Sequence, residues 1–547
     1  MRRTKRLLCV VGLFVACAAR AEPREMVAAA HPLAVEAGLA VLEKGGTALD
    51  AAVAVQMALG VVEPQASGLG GGGFLLYYDG ETHKIDIYDG RETAPAGARP
   101  TMFLGADGKA LPFRQAVASG ISVGVPGAVA LLELAHKEHG KLAWVQLFKP
   151  AIALARDGFP VSPRLAEWLA TIKSFAGDPE ARATFYNSDG TPKKQGDRVV
   201  NLPLAETMQL VAEHGATTLQ KGPIAEEIVK RVRGHVRPGT LSLDDLASYK
   251  PLKRDALCGP YRIWIVCGMP PPSSGGLAIL QALALLEPFG LSHEQPNSVR
   301  ALHLIAEASR LIFADRAHYV DDPAFVPVPV AKLLEPAYIE QRRKLISPDR
   351  AMSRDKPVEA GYVEHGTSHM TIVDRWGNAV AFTTTIEAPF GAEMMVGGFV
   401  LNNELTDFSP VAERNGQPVA NRVQPGKRPR SSMSPTFVLN QDGRLVLAVG
   451  SAGGARIIGD TLQALIGMLD WNLSAQAALD LPRVINMNGP TELEDRGDLP
   501  AKADALRALG HEVQVRRHDG GLTAIRRAGD GWDGAADPRR DGVAKGG

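Results

Sequence analysis

The chain has no net charge, no zinc-binding motif and no apolar run long enough to cross a membrane. Basic and acidic residues both number 60. The sequence therefore gives no reason to expect a nucleic acid or an anionic membrane as partner. It has neither paired Cys/His spacing nor a His-Glu-x-x-His segment, so we expect no metal and no cofactor. What remains is 547 residues of ordinary globular composition, 45% of them apolar, enough for a sizeable core.

The longest apolar run near the start, Leu7 to Ala19, follows a basic beginning and precedes Ala19-Arg20-Ala21. This pattern predicts a signal peptide over residues 1–21 and a periplasmic or secreted protein. The run is shorter than the roughly 20 residues of a spanning helix, so we expect no stable membrane anchor. Cys17 leaves lipoprotein processing as an alternative, although Phe14 fits that motif poorly.

Removal of the signal would leave only Cys258 and Cys267. The residues from Tyr261 to Val266 are typical of one continuous strand, which would hold its ends about 20 Å apart. A disulfide needs Cα atoms within about 7 Å, so this interpretation predicts two unpaired, buried cysteines.

Periodicity divides the chain into a mostly helical first part and a β-rich part that begins at Thr367. Helices are expected at Pro32–Leu42, at Ala51–Gly60 behind a Thr47/Asp50 capping box, and at Ala337–Ile346. The polar stretch from Ser347 to Glu364 is typical of an exposed loop where a chain is cut. Strands mixed with helices indicate a layered α/β or α+β architecture.

A hairpin centred on Trp376 carries the most informative residues. Thr367 lies nine positions before that centre and Thr385 nine after it, so an antiparallel register places the two hydroxyls opposite each other. A threonine hydroxyl is a weak nucleophile until a base removes its proton. If Thr367 became a chain terminus, its α-amine, with a pKa of roughly 7.7–8, could be that base. Taken alone, however, Thr367-Ser368 is also consistent with an ordinary polar strand start.

The surrounding segments resemble those of γ-glutamyltransferases, also called γ-glutamyltranspeptidases or glutathione hydrolases. The resemblance covers nearly all of the chain after the signal and preserves the order of the family's motifs. The segments that carry it are Val62–Pro64 with the glycines at 68 and 70–73, Asp89–Pro95, Ser122–Gly127, Ala155–Phe159, Met269–Gly276, Ala314–Arg316, Gly366–Asp374, Gly377–Val380, Thr383–Ile386, Leu401–Ser409, Lys427–Thr436, Gly450–Ile458 and Ala536–Gly542.

The resemblance implies the four-layer αββα fold of N-terminal-nucleophile hydrolases and a precursor that cuts itself. Thr367 would attack the carbonyl of Gly366, leaving a large subunit of residues 22–366 and a small catalytic subunit of residues 367–547. The two would remain one intertwined heterodimer. Thr367 would then attack a γ-glutamyl amide such as glutathione, and the acyl-enzyme would pass to water or to an acceptor amino acid or peptide.

The resemblance also implies a role for each site residue. Thr385 would orient Thr367, and backbone N–H groups of Gly453 and Gly454 would bind the oxyanion. The remaining residues would bind the substrate's α-carboxylate (Arg91, Ser431 and Ser432) and its α-ammonium (Glu404 and Asp407).

Two features depart from well-known relatives. Glu387 stands where they carry asparagine, which adds a third carboxylate beside the expected ammonium site. The stretch from Asp407 to Ser431 looks shorter than in relatives with a full lid loop, which would admit bulkier γ-glutamyl donors. The alternatives are a cephalosporin-acylase-like amidase on the same fold and a non-processing binding protein. A phosphate-binding loop at Gly68–Gly73 is not expected, because a helix precedes it and no lysine follows.

Overall fold

The computed structural model describes residues 23–352 and 366–547. The predicted signal peptide, and residues 353–364 of the predicted cleavage loop, lie outside these ranges. Within them, no helix is both long and apolar enough to cross a membrane.

The β-strands of the described residues, in chain order, are β1 (Met26–Ala29), β2 (Gly72–Tyr78), β3 (Ile85–Asp89), β4 (Phe159–Pro160), β5 (Arg198–Val199), β6 (Leu252–Arg254), β7 (Leu257–Tyr261), β8 (Trp264–Gly268), β9 (Thr367–Val373), β10 (Ala379–Thr385), β11 (Met395–Val396), β12 (Phe399–Val400), β13 (Glu413–Arg414), β14 (Gln417–Pro418), β15 (Thr436–Leu439), β16 (Leu445–Gly450), β17 (Val484–Asn486), β18 (Thr491–Glu494), β19 (Val513–Arg516), β20 (Thr523–Ala528), β21 (Gly531–Ala536) and β22 (Val543–Gly546).

The α-helices are α1 (Pro32–Glu43), α2 (Ala48–Val62), α3 (Phe113–Val117), α4 (Ala128–His139), α5 (Trp144–Leu147), α6 (Lys149–Asp157), α7 (Pro163–Thr171), α8 (Pro179–Phe185), α9 (Leu202–His214), α10 (Thr217–Gln220), α11 (Pro223–Gly234), α12 (Leu243–Ser248), α13 (Gly275–Leu286), α14 (Val299–Tyr319), α15 (Val330–Leu333), α16 (Pro336–Arg343), α17 (Ile457–Leu469), α18 (Ala475–Asp480) and α19 (Ala503–Ala508).

Two sheets stack face to face at the centre of the molecule. The first has the strand order β22-β1-β9-β10-β2-β3-β6 and the second β21-β20-β16-β15-β8-β7. Alternate side chains of both sheets, among them Phe74, Leu76, Phe437 and Ile525, meet in a shared apolar layer. The opposite faces pack against α1 and α2 on one side and against α13, α14 and α17 on the other. The predicted αββα sandwich is therefore confirmed.

The sequence signals that predicted the starts of α1 and α2 are confirmed. Thr47 and Asp50 form a reciprocal capping box that begins α2, and Pro32 occupies the first turn of α1. The α2 helix is buried along its whole length, so it fills the space between the first sheet and the outer helices. This packing fixes the first sheet, on which the candidate nucleophile lies.

The cysteine prediction was wrong. Cys258 and Cys267 form a disulfide, with their Cα atoms 4.1 Å apart. The chain does not run straight between them: it turns at Arg262, whose φ is 53°, and returns as β8. The resulting β7–β8 hairpin sets the two cysteines directly opposite each other. The turn contains no glycine, proline or asparagine, so no residue in it predicts a turn.

The disulfide should add local stability without affecting the site chemistry. A cross-link between residues nine positions apart restricts only a short loop of the unfolded chain. Replacing Cys258 by serine and Cys267 by alanine should therefore lower the free energy of unfolding by about 2–3 kcal/mol. Urea unfolding of the variant, with the reduced wild type as control, measures this difference. Unchanged unfolding in both samples would contradict a stabilising role.

Candidate active site

Strands β9 and β10 place the candidate nucleophile in the middle of the first sheet. They pair antiparallel, with Val373 opposite Ala379 and Thr367 opposite Thr385, so the predicted register is confirmed. Asp374 to Asn378 form the connecting turn, which centres the hairpin on Trp376. Thr367 and Thr385 are each 3% exposed, which shields their hydroxyls from bulk water.

The Thr385 hydroxyl connects the nucleophile with the peptide bond it would attack. Its oxygen lies 3.1 Å from the carbonyl oxygen of Gly366 and 3.3 Å from the hydroxyl oxygen of Thr367. It also accepts the backbone N–H of Glu387 at 2.8 Å. A hydroxyl has one proton to donate. When Thr385 donates it to Gly366, Thr367 can donate its own proton to Thr385.

A small cleft opens beside these threonines. It brings together most of the predicted site residues, from both sides of the proposed cut. Its lining comprises Arg91, Thr367, Thr385, Glu387, Glu404, Asp407, Ser431, Ser432, Met433 and Ile457.

Arg91 lies at the end of the cleft, two residues beyond β3, and it is already paired. Its guanidinium forms ion pairs with Glu404 and Asp407, which share a short 3₁₀ turn at residues 404–407. It also donates to the carbonyl oxygens of Pro429 at 3.2 Å and Arg430 at 3.1 Å. The groups expected to bind opposite ends of an amino acid thus neutralise one another in the unliganded site.

Burial governs the charges in this cleft. It raises the pKa of Glu387, and the nearby Asp407 and Glu404 raise it further. Burial also raises the pKa of Glu404, against the opposing effect of Arg91. For Arg91, burial alone would lower the pKa, but the carboxylates of Glu404 and Asp407 outweigh it and raise the pKa. The guanidinium is therefore charged at every accessible pH.

Glu387 lies in a tight turn after β10. Its φ is 77°, a left-handed conformation that is rare outside glycine and costs on the order of 1–3 kcal/mol. Its carboxyl accepts a hydrogen bond from the side chain of Asn403. The turn places the Glu387 N–H on the Thr385 hydroxyl and the Glu387 side chain in the cleft.

The two serines of the 427–436 segment can both donate into the cleft. The Ser431 hydroxyl accepts the backbone N–H of Met433 at 3.1 Å, and the Ser432 hydroxyl accepts from the guanidinium of Arg316 at 2.7 Å. Each hydroxyl accepts a bond from the protein and keeps its own proton for a ligand. Ser274 fixes this segment by donating its N–H and its hydroxyl to the carbonyl of Ser431.

Gly453 and Gly454 do not line the cleft. They lie in the turn between β16 and α17, three to four residues before the lining residue Ile457. Their φ angles are 129° and 63°, which other residues rarely adopt. Their predicted role in binding an oxyanion remains a prediction.

Sequence reasoning did not assign a role to several residues that contact the nucleophile strand. The guanidinium of Arg540 donates to the carbonyl oxygen of Thr367 at 2.6 Å, and Ser368 donates to Glu63 at 2.9 Å. His369 is buried against Gly450 and contacts Thr383 at 2.8 Å. Burial lowers the pKa of His369 to about 3, so it is a neutral packing group. All of these residues lie in segments that resemble the family's, Glu63 in Val62–Pro64, Ser368 and His369 in Gly366–Asp374, and Arg540 in Ala536–Gly542.

One group of side chains outside the cleft has ligand atoms close enough to hold a metal. In Asp86, Glu138 and His139, these atoms lie within 4.8 Å of one another. The ammonium of Lys253 lies 2.6 Å from Glu138 and 3.5 Å from Asp86. It already supplies the positive charge that the two carboxylates require.

Comparisons with known proteins find similar sequences and a similar fold. The glutathione hydrolase proenzyme of Bacillus subtilis strain 168 is 40% identical over 95% of this chain and 91% of its own. The acylase ACY 1 proenzyme of Pseudomonas sp. strain SE83 is 36% identical, over 95% and 93% respectively. The crystal structure of cephalosporin acylase from Bacillus halodurans superposes with a TM-score of 0.85 at 30% identity, covering 96% of each chain.

The sequence model described as Gamma-glutamyltranspeptidase matches residues 34–547. That match covers nearly the whole chain, including both sides of the Gly366–Thr367 bond and every residue of the cleft. The chain therefore belongs to the γ-glutamyltranspeptidase family.

Proposed function

We propose that this protein is a self-cleaving γ-glutamyl hydrolase and transferase that uses Thr367 as its nucleophile. One observation carries the proposal: the Thr385 hydroxyl bridges the Thr367 hydroxyl and the Gly366 carbonyl. Donation from Thr385 polarises the carbonyl that Thr367 attacks. As the Thr367 oxygen bonds to the Gly366 carbonyl carbon, the C–N bond between the two residues breaks and the Thr367 nitrogen gains the proton that the hydroxyl loses. Water then hydrolyses the ester, which leaves chains of residues 22–366 and 367–547.

The freed Thr367 then acts in turnover. Its α-amine takes the hydroxyl proton as the oxygen attacks the γ-glutamyl carbonyl, and the amine of the leaving group receives a proton. Backbone N–H groups of Gly453 and Gly454 stabilise the oxyanion, a contribution of about 3 kcal/mol for each donor. Water or an acceptor amino acid or peptide then removes the glutamyl group from Thr367.

The ion pair around Arg91 suits a zwitterionic amino acid. The substrate α-carboxylate replaces a protein carboxylate on Arg91 and accepts from Ser431 and Ser432. The α-ammonium then pairs with Glu404 and Asp407, and Glu387 adds a third acidic group beside it. Exchanging one pair of opposite charges for another leaves no buried charge unpaired, which is the condition for favourable burial.

A second candidate is a cephalosporin-acylase-like amidase, and the likeness to the Bacillus halodurans structure favours it. A glutaryl group offers a carboxylate for Arg91 but has no ammonium. Its binding would separate Arg91 from Glu404 and Asp407 and leave those carboxylates without a cation. This cost argues for the γ-glutamyl substrate.

A substrate panel tests the choice. The value of kcat/KM for a γ-glutamyl anilide should exceed that for the matching glutaryl anilide by about 100-fold or more, because leaving a buried charge unpaired costs about 3–5 kcal/mol. Glutathione and a glutaryl-cephalosporin extend the comparison to natural leaving groups. Glu404→Gln, which removes one carboxylate at constant size, should reduce the ratio of kcat/KM between the γ-glutamyl and the glutaryl anilide. A preference of the wild type for the glutaryl substrates would establish the acylase instead.

Two further features complete the proposal. The segment between Asp407 and Ser431 includes the exposed β13–β14 hairpin, and its short length would admit γ-glutamyl donors bulkier than glutathione. Export to the periplasm or the medium accords with the basic and apolar start of the chain. The disulfide supports it, because disulfides persist in oxidising compartments.

A further inference from the structure

A fourth carboxyl group lies behind the cleft and has no assigned role. Glu92 follows Arg91 directly and is completely buried. No other described residue donates a hydrogen bond to either of its carboxyl oxygens, and Oε2 of Glu404 also lacks a donor. Buried carboxylates without donors are rare because ionised oxygens need hydrogen bonds to replace water.

Two glycines make the space that Glu92 occupies. A Cβ atom on Gly72 would lie 2.4 Å from Oε2 of Glu92, and one on Gly124 would lie 2.9 Å from the Glu92 Cβ. Neither position can accept a side chain without displacing the glutamate. The backbone at these two glycines therefore fixes the position of the Glu92 carboxyl, which interacts with the carboxyl of Glu404.

The charged and titratable groups that face Glu92 are Arg91, Glu404, Asp407 and Tyr249. Arg91 is the one cation among them, and its guanidinium is already shared by Glu404 and Asp407. Burial raises the pKa of Glu92 to about 8, despite the opposing charge of Arg91. Two interacting buried carboxyls cannot both be ionised at neutral pH, so they share one proton. The ion pair between Arg91 and Oε1 of Glu404 favours Glu404 as the ionised member and leaves the proton on Glu92.

We propose that Glu92 is a positioning residue that keeps this proton and donates it in a hydrogen bond to Oε2 of Glu404. The bond keeps Glu404 ionised and leaves its Oε1 for Arg91 in the free site and for the substrate α-ammonium in the complex. This role rests on the proposed γ-glutamyl function. Loss of the proton at alkaline pH places two negative charges in contact and weakens binding of the glutamyl group.

Substitutions at Glu92 distinguish the effect of its titratable proton from the effect of its size and shape. Glu92→Gln retains a neutral N–H donor at all pH values. Its KM for a γ-glutamyl anilide should be about threefold above the wild-type value at pH 7, because an amide is the weaker donor. Between pH 7 and 9, the ratio of wild-type to variant KM should rise several-fold. Glu92→Leu removes the donor and should raise KM about tenfold at pH 7, with a smaller effect on kcat, and its KM ratio to the wild type should fall towards pH 9. Titration of the substrate amine affects all three enzymes equally, so it cancels in these ratios.

Calorimetry measures proton uptake on glutamate binding, which would not change if Glu92 had a purely structural role. Binding of L-glutamate to the mature wild type at pH 8, measured in phosphate and in Tris, should show uptake of about half a proton. The Glu92→Gln variant should take up clearly less. Identical KM–pH curves and identical proton uptake would overturn the role of Glu92 and leave the γ-glutamyl function intact. Failure of the wild type to hydrolyse the anilide or to bind glutamate would overturn the proposed function itself, and this inference with it.

Discussion

Thr367→Ala is expected to yield one uncut polypeptide with γ-glutamyl turnover reduced by about 10⁴-fold or more. The substitution removes the hydroxyl that the register of β9 and β10 places against Thr385, which in turn contacts the Gly366 carbonyl. It also prevents formation of the α-amine that serves as base. Removal of a nucleophile in other hydrolases costs losses of this order. Intact mass and N-terminal sequencing of the purified protein measure cleavage directly.

The wild type should show two chains, and the smaller should begin Thr-Ser-His-Met. Thr367→Ser is the matched control, because it keeps the hydroxyl but loses the methyl group that limits χ1. It should still cut itself, more slowly. A correctly folded wild type that stays in one chain, or an alanine variant cut at the same bond, would exclude Thr367 as the nucleophile and favour a binding protein.

Arg91→Met should lower kcat/KM for γ-glutamyl substrates by about 10³-fold and also destabilise the protein. The variant loses the cation that the substrate carboxylate needs, and it leaves Glu404 and Asp407 buried without a counter-ion. Truncating one partner of such a pair costs about 3–5 kcal/mol. Arg91→Lys should recover part of the stability but only part of the binding, because an ammonium cannot form two parallel hydrogen bonds to a carboxylate.

Steady-state kinetics and thermal unfolding of the same samples separate the two effects. Arg310→Lys is the control: Arg310 is also buried and pairs with Glu307 at 3.1 Å, but it does not line the cleft. That substitution should reduce stability and leave KM close to the wild-type value. An Arg91→Met enzyme with wild-type KM would show that the substrate carboxylate binds elsewhere.

The parts of the fold that were predictable depend on short-range signals. The capping box of α2 and the turn around Trp376 each involve residues within a few positions of one another. The pairing of Thr367 with Thr385 followed from that turn because antiparallel strands offer few registers once their connection is fixed. The nucleophile and its neighbour could therefore be located from the sequence.

The β7–β8 turn could not be predicted from local sequence signals, for a physical reason. Arg262 and Ile263 have no intrinsic preference for a turn, and Arg262 takes a positive φ that few non-glycine residues adopt. Pairing with β15 and the disulfide itself stabilise the turn after the chain has folded. Tertiary structure thus overrides the local preference for one long strand.

Contacts across long sequence separations could not be read from the chain. Arg540 reaches the Thr367 carbonyl across 173 positions. Glu92 follows β3 and Glu404 begins the 3₁₀ turn at residues 404–407, so only the assembled fold brings them together. The sequence identified their segments by resemblance, but the charge balance that gives these residues their roles is a property of the assembled site.

The strand order of the first sheet makes folding and cutting a one-way sequence of events. Strand β1, from before the cut, lies between β22 and β9, both from after it. The precursor aligns these strands as a single polymer, in which the search for partners is intramolecular. Once the chain is cut, a thermally unfolded enzyme would have to reassemble from two molecules that each expose unpaired strand edges. The stability of the cut enzyme therefore depends on a slow rate of unfolding and not on its ability to refold. This is kinetic stability.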